Sequence, residues 1–218
     1  MDREAWLDAQ QASAEALYEH GAGEEGPITE THRGYVQAVV ESCPQGGAVL
    51  DAPCGTGRYF ELVLAAGRTV VGVDRSAAAL DRARGRHAEV VLKSARLQEL
   101  EFDREYDGAL CIDAMEFVSP EDWAVVVGNL RRAVRPGGLL YLTVEQIDQA
   151  EIESAYTQAR AEGLPVVYGE TRRGGGYHHY PAAERVAEWI EAAGLEIVDE
   201  VITWARRYGY LHLLLREK

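Results

Sequence analysis

Apolar positions along the chain alternate between helical and strand-like spacing. Helical spacing predicts amphipathic helices over residues 3–20, 29–43, 57–66, 76–86, 120–133, 148–162 and 182–192. Short apolar runs predict strands over residues 48–50, 69–73, 89–92, 106–112, 138–144, 195–203 and 210–215. This alternation favours an α/β fold with a mostly parallel seven-stranded sheet and helices on both faces. The last two strands lie too close for a helical crossover, so we predict that they pair as an antiparallel C-terminal hairpin.

Local signals refine some of these elements. Ser76 is placed to cap the helix that follows it, and Ser119 with Pro120 is placed to begin the helix over 120–133. An irregular stretch precedes the last helix, and its Gly174-Gly175-Gly176 run predicts a mobile loop. Amphipathic positions predict a mostly core location for the tryptophans Trp6, Trp123, Trp189 and Trp204.

Charge and cysteine content limit the partners of the protein. The 218 residues carry a formal net charge of −14, which repels phosphate backbones and argues against nucleic acid as a substrate. The acidity either serves solubility or favours neutral and cationic substrates. No apolar run reaches the length of a membrane span. The odd, scattered set Cys43, Cys54 and Cys111 predicts neither a disulfide framework nor a metal site, and it favours a reduced, cytoplasmic setting.

The loop after the first strand carries the strongest candidate chemistry, because ligands of open α/β sheets bind beyond the carboxyl ends of the strands. It reads Asp51-Ala52-Pro53-Cys54-Gly55-Thr56-Gly57, and its glycines let the backbone approach a ligand closely. A phosphate-binding Walker loop needs a Gly-Lys-Ser/Thr segment, which is absent. A dinucleotide-binding loop needs a small residue where Phe60 stands.

Two carboxylates indicate another ligand. Asp51 suits a ligand ammonium, and Asp74, at the end of the second strand, suits ribose hydroxyls. A ligand with a ribose and an ammonium group but no phosphate fits both, and S-adenosylmethionine (SAM) is such a ligand. The alternative is that both carboxylates only cap their loops.

At this point the sequence resembles a class I SAM-dependent methyltransferase. The resemblance runs from about residue 47 to residue 145. It rests on VLDAPCGTG at 49–57, VGVDRS at 71–76, YDGALCID at 106–113, MEFV at 115–118 and LRRAVRPGGLL at 130–140. It implies a Rossmann-like fold, SAM as the cofactor and S-adenosylhomocysteine (SAH) as its product, and it says little about the acceptor.

The resemblance also implies cofactor contacts. The implied contacts of the methionine part and the ribose are Asp51, Ala52, Pro53, Cys54, Gly55, Thr56, Gly57, Asp74 and Asp113. The implied contacts of the adenine are Arg75, Arg96 and Leu97. Two residues depart from the family pattern. Arg96 stands where many members have an acidic residue for the adenine amino group, which Glu99 or a backbone carbonyl would have to replace. Phe117 stands where a histidine is common.

The acceptor site is expected above the strand ends. The candidate acid–base residues are His178, His179, Glu116 and Glu145, and the candidate acceptor contacts are Tyr18, His32, Met115, Phe117, Tyr177 and Tyr180. A glycine-rich approach to the Tyr177–Tyr180 cluster would let it move as a lid. Each candidate also has an alternative. The histidine pair would belong to an ordinary loop, and the glutamates would be solvated or would cap helices. Tyr18 would only pack against its neighbours, and His32 would lie at the surface.

The whole sequence is interpreted as a single domain. Its parts are an N-terminal helical lid (1–45), a SAM-binding core (46–145), an acceptor-site insertion (146–181) and a C-terminal helix and hairpin (182–218). The expected activity is methyl transfer from SAM to an oxygen, nitrogen or carbon of a small molecule, and family habits favour specialised metabolism. The alternatives are a non-methylating cyclisation or rearrangement and a non-catalytic SAM-binding module. The sequence leaves the choice between a monomer and a homodimer open.

Overall fold

The computed structural model describes residues 2–21, 26–173, 176–206 and 208–218, without the side chains of residues 14–21 and 173. The helices are α1 (Arg3–Gly21), α2 (Glu30–Ser42), α3 (Phe60–Ala65), α4 (Ala77–Arg86), α5 (Trp123–Ala133), α6 (Gln149–Ala161) and α7 (Ala183–Ala192). The strands are β1 (Ala48–Asp51), β2 (Thr69–Asp74), β3 (Val91–Ser94), β4 (Tyr106–Cys111), β5 (Val134–Ile147), β6 (Glu170–Arg173), β7 (Gly176–His179), β8 (Leu195–Ala205) and β9 (Tyr208–Glu217). Short 3-10 turns, Leu97–Glu99 and Met115–Phe117, follow β3 and β4.

The main sheet has the strand order β3-β2-β1-β4-β5-β9-β8. Strands β1 to β5 run parallel, and β9 lies antiparallel between β5 and β8. The predicted seven-stranded sheet with an antiparallel C-terminal hairpin is therefore confirmed. The strand order reverses at β1, which has β2 on one side and β4 on the other. The loops after β1 and β4 therefore diverge and leave a crevice at the carboxyl edge.

Helices cover both faces of this sheet, as predicted. Apolar residues of α5 recur at helical spacing and pack with α7 on one face, where the rings of Trp123 and Trp189 stack at 4.7 Å. Helices α2, α3 and α4 cover the other face around Phe60 and Tyr141. Trp6 is also buried, but Trp204 is 57% exposed on the edge strand β8, so its predicted core location is wrong.

The first residues of α4 and α5 explain one correct prediction of a helix start and one wrong one. Ser76 caps α4 by accepting the backbone N–H of Ala79 at 3.1 Å, as predicted. Helix α5 begins at Trp123 rather than at residue 120, because residues 119–122 form a turn in which the Asp122 N–H donates to the Ser119 carbonyl.

The stretch before α7 differs most from the expectation. Residues 170–173 and 176–179 pair as an antiparallel hairpin, β6–β7, where a loop without regular structure was predicted. Gly174 and Gly175, which the prediction placed in the mobile loop, lie outside the described residues. None of the helices that the structure describes is long and apolar enough to cross a membrane.

Candidate functional site

A cleft opens at the carboxyl edge of the sheet, where the strand order reverses. Its lining residues are Gln11, Pro53, Val73, Asp74, Arg75, Ala95, Arg96, Leu97, Gln98, Asp113, Ala114, Phe117 and Val118. More than half of them belong to the residues that the sequence assigned to cofactor or acceptor. The cleft therefore lies where the rule for open α/β sheets expects a ligand.

The loop after β1 is held against the end of β2. The Gly55 N–H donates to Oδ2 of Asp74 at 2.9 Å, and the Cys54 N–H donates to the Val73 carbonyl at 2.8 Å. Gly57 has a φ of +82° and lies so close to Phe60 that a β-carbon would stand 2.7 Å from the ring. Both conditions require glycine at this position.

Phe60 explains how the loop differs from a dinucleotide-binding loop. Its buried ring lies over Gly72 of β2, where a β-carbon would come within 2.6 Å of it. Because Gly72 has no side chain, β2 leaves room for the large side chain of Phe60 on α3. The remaining loop residues Ala52, Cys54 and Thr56 are buried, and Thr56 accepts a hydrogen bond from Arg86 at 2.7 Å.

Both predicted carboxylates lie at the strand ends. Asp51 is fully buried at the end of β1, and Asp74 is buried at the end of β2 and lines the cleft. Burial raises the pKa of Asp74, while the N–H groups of Ser76 and Gly55, each 2.9 Å away, act in the opposite direction. Asp74 therefore caps its loop and also faces the cleft, so the two interpretations of this residue are compatible.

The side of the cleft formed by the residues after β3 and β4 is mostly apolar and includes one amide side chain. Leu97 and Val118 line it together with Gln98, which the sequence analysis missed. Gln98 Nε2 donates to Oδ2 of Asp122 at 3.1 Å, which fixes the orientation of the amide. Arg96 is exposed, and its backbone N–H donates to Glu99 at 3.2 Å, so the Glu99 side chain caps the 3-10 turn.

Asp113 connects the cleft to the N-terminal region. It adopts a φ of +54°, unusual for a residue other than glycine, and its N–H donates to Oγ1 of Thr143 at 2.9 Å. Its carboxylate lies 3.3 Å from Nη1 of Arg58 and 3.7 Å from Nε2 of His32. Arg58 also donates to the carbonyls of residues 26 and 27, so it ties the segment before α2 to the site.

A group of aromatic side chains lies next to Asp113, and we call it the aromatic wall. Its members are His32, Tyr59, Tyr141, Tyr210 and His212. His32 is buried, so the surface alternative for it is wrong, and its ring centroid is 5.4 Å from that of Tyr210. Burial, with a contribution from His32, lowers the pKa of His212 to about 4. The sequence analysis missed the other four members, because distant strands bring them together.

The two candidate glutamates lie beside this wall. Glu116 is 3% exposed, and its burial, followed by the charges of Asp113 and Glu145, raises its pKa well above the usual range. Glu145 is half-buried and stands opposite Tyr210 in the pairing of β5 with β9. Met115 is fully buried and packs in the core between the sheet and α5, whereas Phe117 lines the cleft.

Successive side chains of the segment 177–180 point to opposite sides, as they do in a β-strand. Tyr177 is buried against Trp6 and donates to Glu170 at 2.6 Å, and His179 is buried against Trp189. Burial lowers the pKa of His179 to about 4. His178 stands on the other side, with its ring 5.1 Å from Phe117 and stacked on Tyr180. His178 is therefore the member that lies next to a residue of the cleft lining, and a catalytic role for either histidine stays a prediction.

A buried ion pair fixes α1 above the cleft. Arg3 donates through two nitrogens to the fully buried carboxylate of Glu170, at 2.6 and 2.7 Å, and through a third contact to Glu121 at 2.8 Å. Gln11, two turns further along α1, lines the cleft. Tyr18 belongs to the part of α1 whose side chains are outside the description. In the described ranges no three His, Cys, Asp or Glu side chains are grouped as metal ligands would be.

Comparisons with known proteins agree with this geometry. Residues 49–138 match the family model of a methyltransferase domain. A ubiquinone biosynthesis O-methyltransferase of Thiobacillus denitrificans is 35% identical over 104 residues, which cover 45% of this chain and 44% of that protein. The chain spans 44% and 63% of the length of the first two curated relatives that it matches, which is less than two thirds.

Solved structures share the fold at low sequence identity. The 1,6-didemethyltoxoflavin-N1-methyltransferase of Burkholderia thailandensis, with 1,6-didemethyltoxoflavin and SAH bound, has a TM-score of 0.72 at 17% identity, covering 100% of this chain and 91% of that one. A 4+2 cyclase has a TM-score of 0.67 at 19% identity, covering 97% and 93%. The glycine-rich loop and the carboxylate at the end of β2 thus lie in a segment that is similar to a methyltransferase domain, and the chain as a whole shares its fold with the toxoflavin-type methyltransferase.

Proposed function

We propose that this protein transfers a methyl group from SAM to an oxygen, nitrogen or carbon atom of a small molecule. The observation that carries the proposal is the cleft at the strand-order reversal, with a buried carboxylate, Asp74, on one side and an apolar wall on the other. A carboxylate accepts hydrogen bonds from ribose hydroxyls, and an apolar wall accommodates a purine ring. Bound SAM would supply a methyl group on a positively charged sulfur, which is its own leaving group.

The residues of the chain would hold, orient and shield the reactants. Asp74 and Gln98 offer polar contacts along the adenosine part, and the buried Asp51 supplies negative charge at the end of β1. Asp113 is fixed by Thr143 and Arg58 at the border between the cofactor cleft and the aromatic wall. Helix α1 lines the cleft through Gln11 and would help to exclude water during transfer.

A small acceptor is supported by the way the site is covered. Gln11 of α1 lines the cleft, and the ring of His178 in the hairpin lies 5.1 Å from that of Phe117 in the cleft lining. The net charge of −14 disfavours nucleic acid. The toxoflavin-type methyltransferase holds a small organic acceptor in the same fold, which supports the same class of substrate here. A place in specialised metabolism stays part of the proposal.

A non-methylating reaction is the second candidate, because a cyclase has nearly the same fold similarity as the methyltransferase. The two candidates predict different products. Incubation with SAM and a panel of metabolites, followed by mass spectrometry, should show a product heavier by one methyl group together with SAH. A product of unchanged mass, with SAM intact, would favour the cyclase-type reaction.

Cofactor binding is tested separately by calorimetric titration with SAM and SAH. We expect Asp74→Asn to lower the affinity for SAM by tenfold or more, because a hydrogen bond to a charged group contributes about 1.5–3 kcal/mol. Asp81→Asn is the matched control, since it removes the same charge from a side chain that is 75% exposed on α4. Absence of SAM and SAH binding to the unaltered protein would contradict the proposal.

A further inference from the structure

The amide of Gln98 lines the cleft, and a hydrogen bond fixes which way round it stands. Its Nε2 donates to Oδ2 of Asp122 at 3.1 Å. A carboxylate has no hydrogen to donate, so the amide can meet Asp122 only with its nitrogen. Its oxygen, Oε1, therefore lies on the side away from Asp122, and no residue that the structure describes donates to it. Gln98 thus offers the cleft an acceptor rather than a donor.

Asp122 makes this contact although it stands where a helix cap is needed. It immediately precedes α5, and a carboxylate at such a position ordinarily accepts a backbone N–H of the first turn. The Asp122 side chain makes no such capping bond and is directed at Gln98, 24 residues earlier in the chain. The contact is therefore not a by-product of helix capping, and its effect is to hold the amide of Gln98 in one orientation.

Other acceptors of the same 3-10 turn already have donors. The carbonyls of Leu97 and Gln98 accept from Nδ2 of Asn129 at 3.0 and 2.9 Å. The Arg96 carbonyl accepts from the Glu99 N–H at 3.0 Å, and the Glu99 side chain in turn accepts the Arg96 N–H at 3.2 Å. A ligand amino group that reaches this turn therefore finds Oε1 of Gln98 as an acceptor that no described neighbour occupies.

The strand order decides which part of the ligand reaches the turn. Strand β2 lies between β1, which carries the glycine-rich loop, and β3, which precedes the turn. Asp74 is paired with Ser94 at the ends of β2 and β3, and the Ala95 N–H donates to the Asp74 carbonyl at 3.2 Å. A ligand that extends from the glycine-rich loop past a ribose at Asp74 therefore brings its base to the turn, where Leu97 also lines the cleft.

We propose that Oε1 of Gln98 accepts a hydrogen bond from the 6-amino group of the cofactor's adenine, and that Asp122 is the positioning residue for this amide. The proposal rests on the SAM-dependent methyl transfer proposed above and adds the selection of the base. A site built around an acceptor disfavours a purine that lacks the matching donor. Gln98 thereby takes the role for which Glu99 and a backbone carbonyl were the alternatives.

The test is calorimetric titration of the full chain with SAH and with the SAH analogue in which hydrogen replaces the 6-amino group. The ratio of the two affinities measures the contact with that group. We expect SAH to bind about tenfold more tightly than the analogue. Gln98→Met keeps the length of the side chain without its amide, and should bring the ratio close to one by weakening SAH. Asp122→Asn should also lower the ratio, because an amide there can donate to Oε1 and lets Gln98 turn over.

Gln158→Met is the matched control, because the Gln158 amide also donates to a carboxylate, that of Glu162 at 3.0 Å, but at an exposed position on α6. It should leave the ratio unchanged. Equal affinities of the unaltered protein for SAH and the analogue, or an unchanged ratio in Gln98→Met, would overturn the proposal. If circular dichroism showed Gln98→Met to be unfolded, an unchanged ratio in Asp122→Asn would overturn it instead. Absence of SAH binding to the unaltered protein would contradict the proposed methyl transfer.

Discussion

At the scale of single residues, the cofactor loop depends on a position that tolerates no side chain. Gly57 combines a left-handed backbone with a buried phenyl ring beneath it. We expect Gly57→Ala to lower the free energy of unfolding by more than the roughly 1–2 kcal/mol that a left-handed backbone costs any L-residue, because the ring of Phe60 is fully buried and cannot move away. The measurement is urea unfolding followed by circular dichroism.

Gly137→Ala separates the two effects. Gly137 has a φ of +85°, but a β-carbon there would have no atom within 4 Å. Its substitution should therefore show the backbone cost alone. Equal losses in the two variants would mean that the contact with Phe60 does not constrain the loop. SAH affinity should fall in Gly57→Ala and stay unchanged in Gly137→Ala, which lies far along the chain in β5.

How well single residues could be predicted depends on whether their neighbours in sequence decide their place. Asp74 and Gly57 were predictable, because a strand end and a glycine-rich turn are local patterns. Tyr210 and Gln98 were not, since their positions follow from strand pairing and from a hydrogen bond across the fold. Met115 was expected at the acceptor, but the 3-10 turn directs it into the core between the sheet and α5.

At the scale of elements, α1 is fastened to the hairpin by the contact between Arg3 and Glu170. We expect Arg3→Met to lower the free energy of unfolding by about 3 kcal/mol, because it leaves a fully buried carboxylate without its cation. It should also weaken SAH binding, since α1 contributes Gln11 to the cleft. Urea unfolding and SAH titration measure the two effects, and amide hydrogen exchange should show faster opening of α1.

Two further variants control this experiment. Glu121→Gln removes the second carboxylate that pairs with Arg3. The Glu121 side chain is 48% exposed, so this change should cost less than about 1 kcal/mol. Arg3→Met combined with Glu170→Gln removes both charges and should recover most of the lost stability. If Arg3→Met were no more damaging than Glu121→Gln, the buried pair would not be what holds α1 in place.

Helices and strands were predicted correctly where the spacing of apolar residues was regular, and wrongly where turn residues interrupted that spacing. The strands of the main sheet were found within a few residues of their observed ends, because short runs rich in β-branched residues and bounded by turn residues indicate strands. The β6–β7 hairpin was missed, since arginines and glycines hid the alternation of its buried tyrosine and histidine with outward residues. Ser119 and Pro120 resembled a helix start, but they form the turn that precedes α5.

At the scale of the whole molecule, the sheet order explains why the site is composite. The reversal at β1 brings the ends of β1, β2 and β4 to one crevice, and the antiparallel insertion of β9 beside β5 adds Tyr210 and His212. The fold class could be predicted because it follows from the order of elements. The acceptor side could not, because it is assembled by contacts between segments more than a hundred residues apart, such as His32 with Tyr210.

Buried titratable groups also make the stability of the whole molecule depend on pH in two opposing ways. Burial lowers the pKa of His179 from 6.5 to about 4, so its contribution to stability is present above pH 6.5 and is lost as the pH falls towards 4. The His212 pKa is shifted the same way. The raised pKa values of Asp74 and Glu116 act oppositely, because the protonated forms are favoured in the folded state and stability is lost as the pH rises.

His179→Gln isolates one contribution, because glutamine retains an N–H donor and does not titrate. Between pH 4 and 6.5 the unfolded chain holds the His179 proton and the folded protein does not, so this residue adds a slope of about 1.4 kcal/mol per pH unit. We expect the variant to lose that slope in urea unfolding measured at several pH values. Above pH 7 the two proteins should differ by a constant amount, which reports only the change in packing. Parallel curves from pH 4 to 8 would mean that His179 titrates alike in both states.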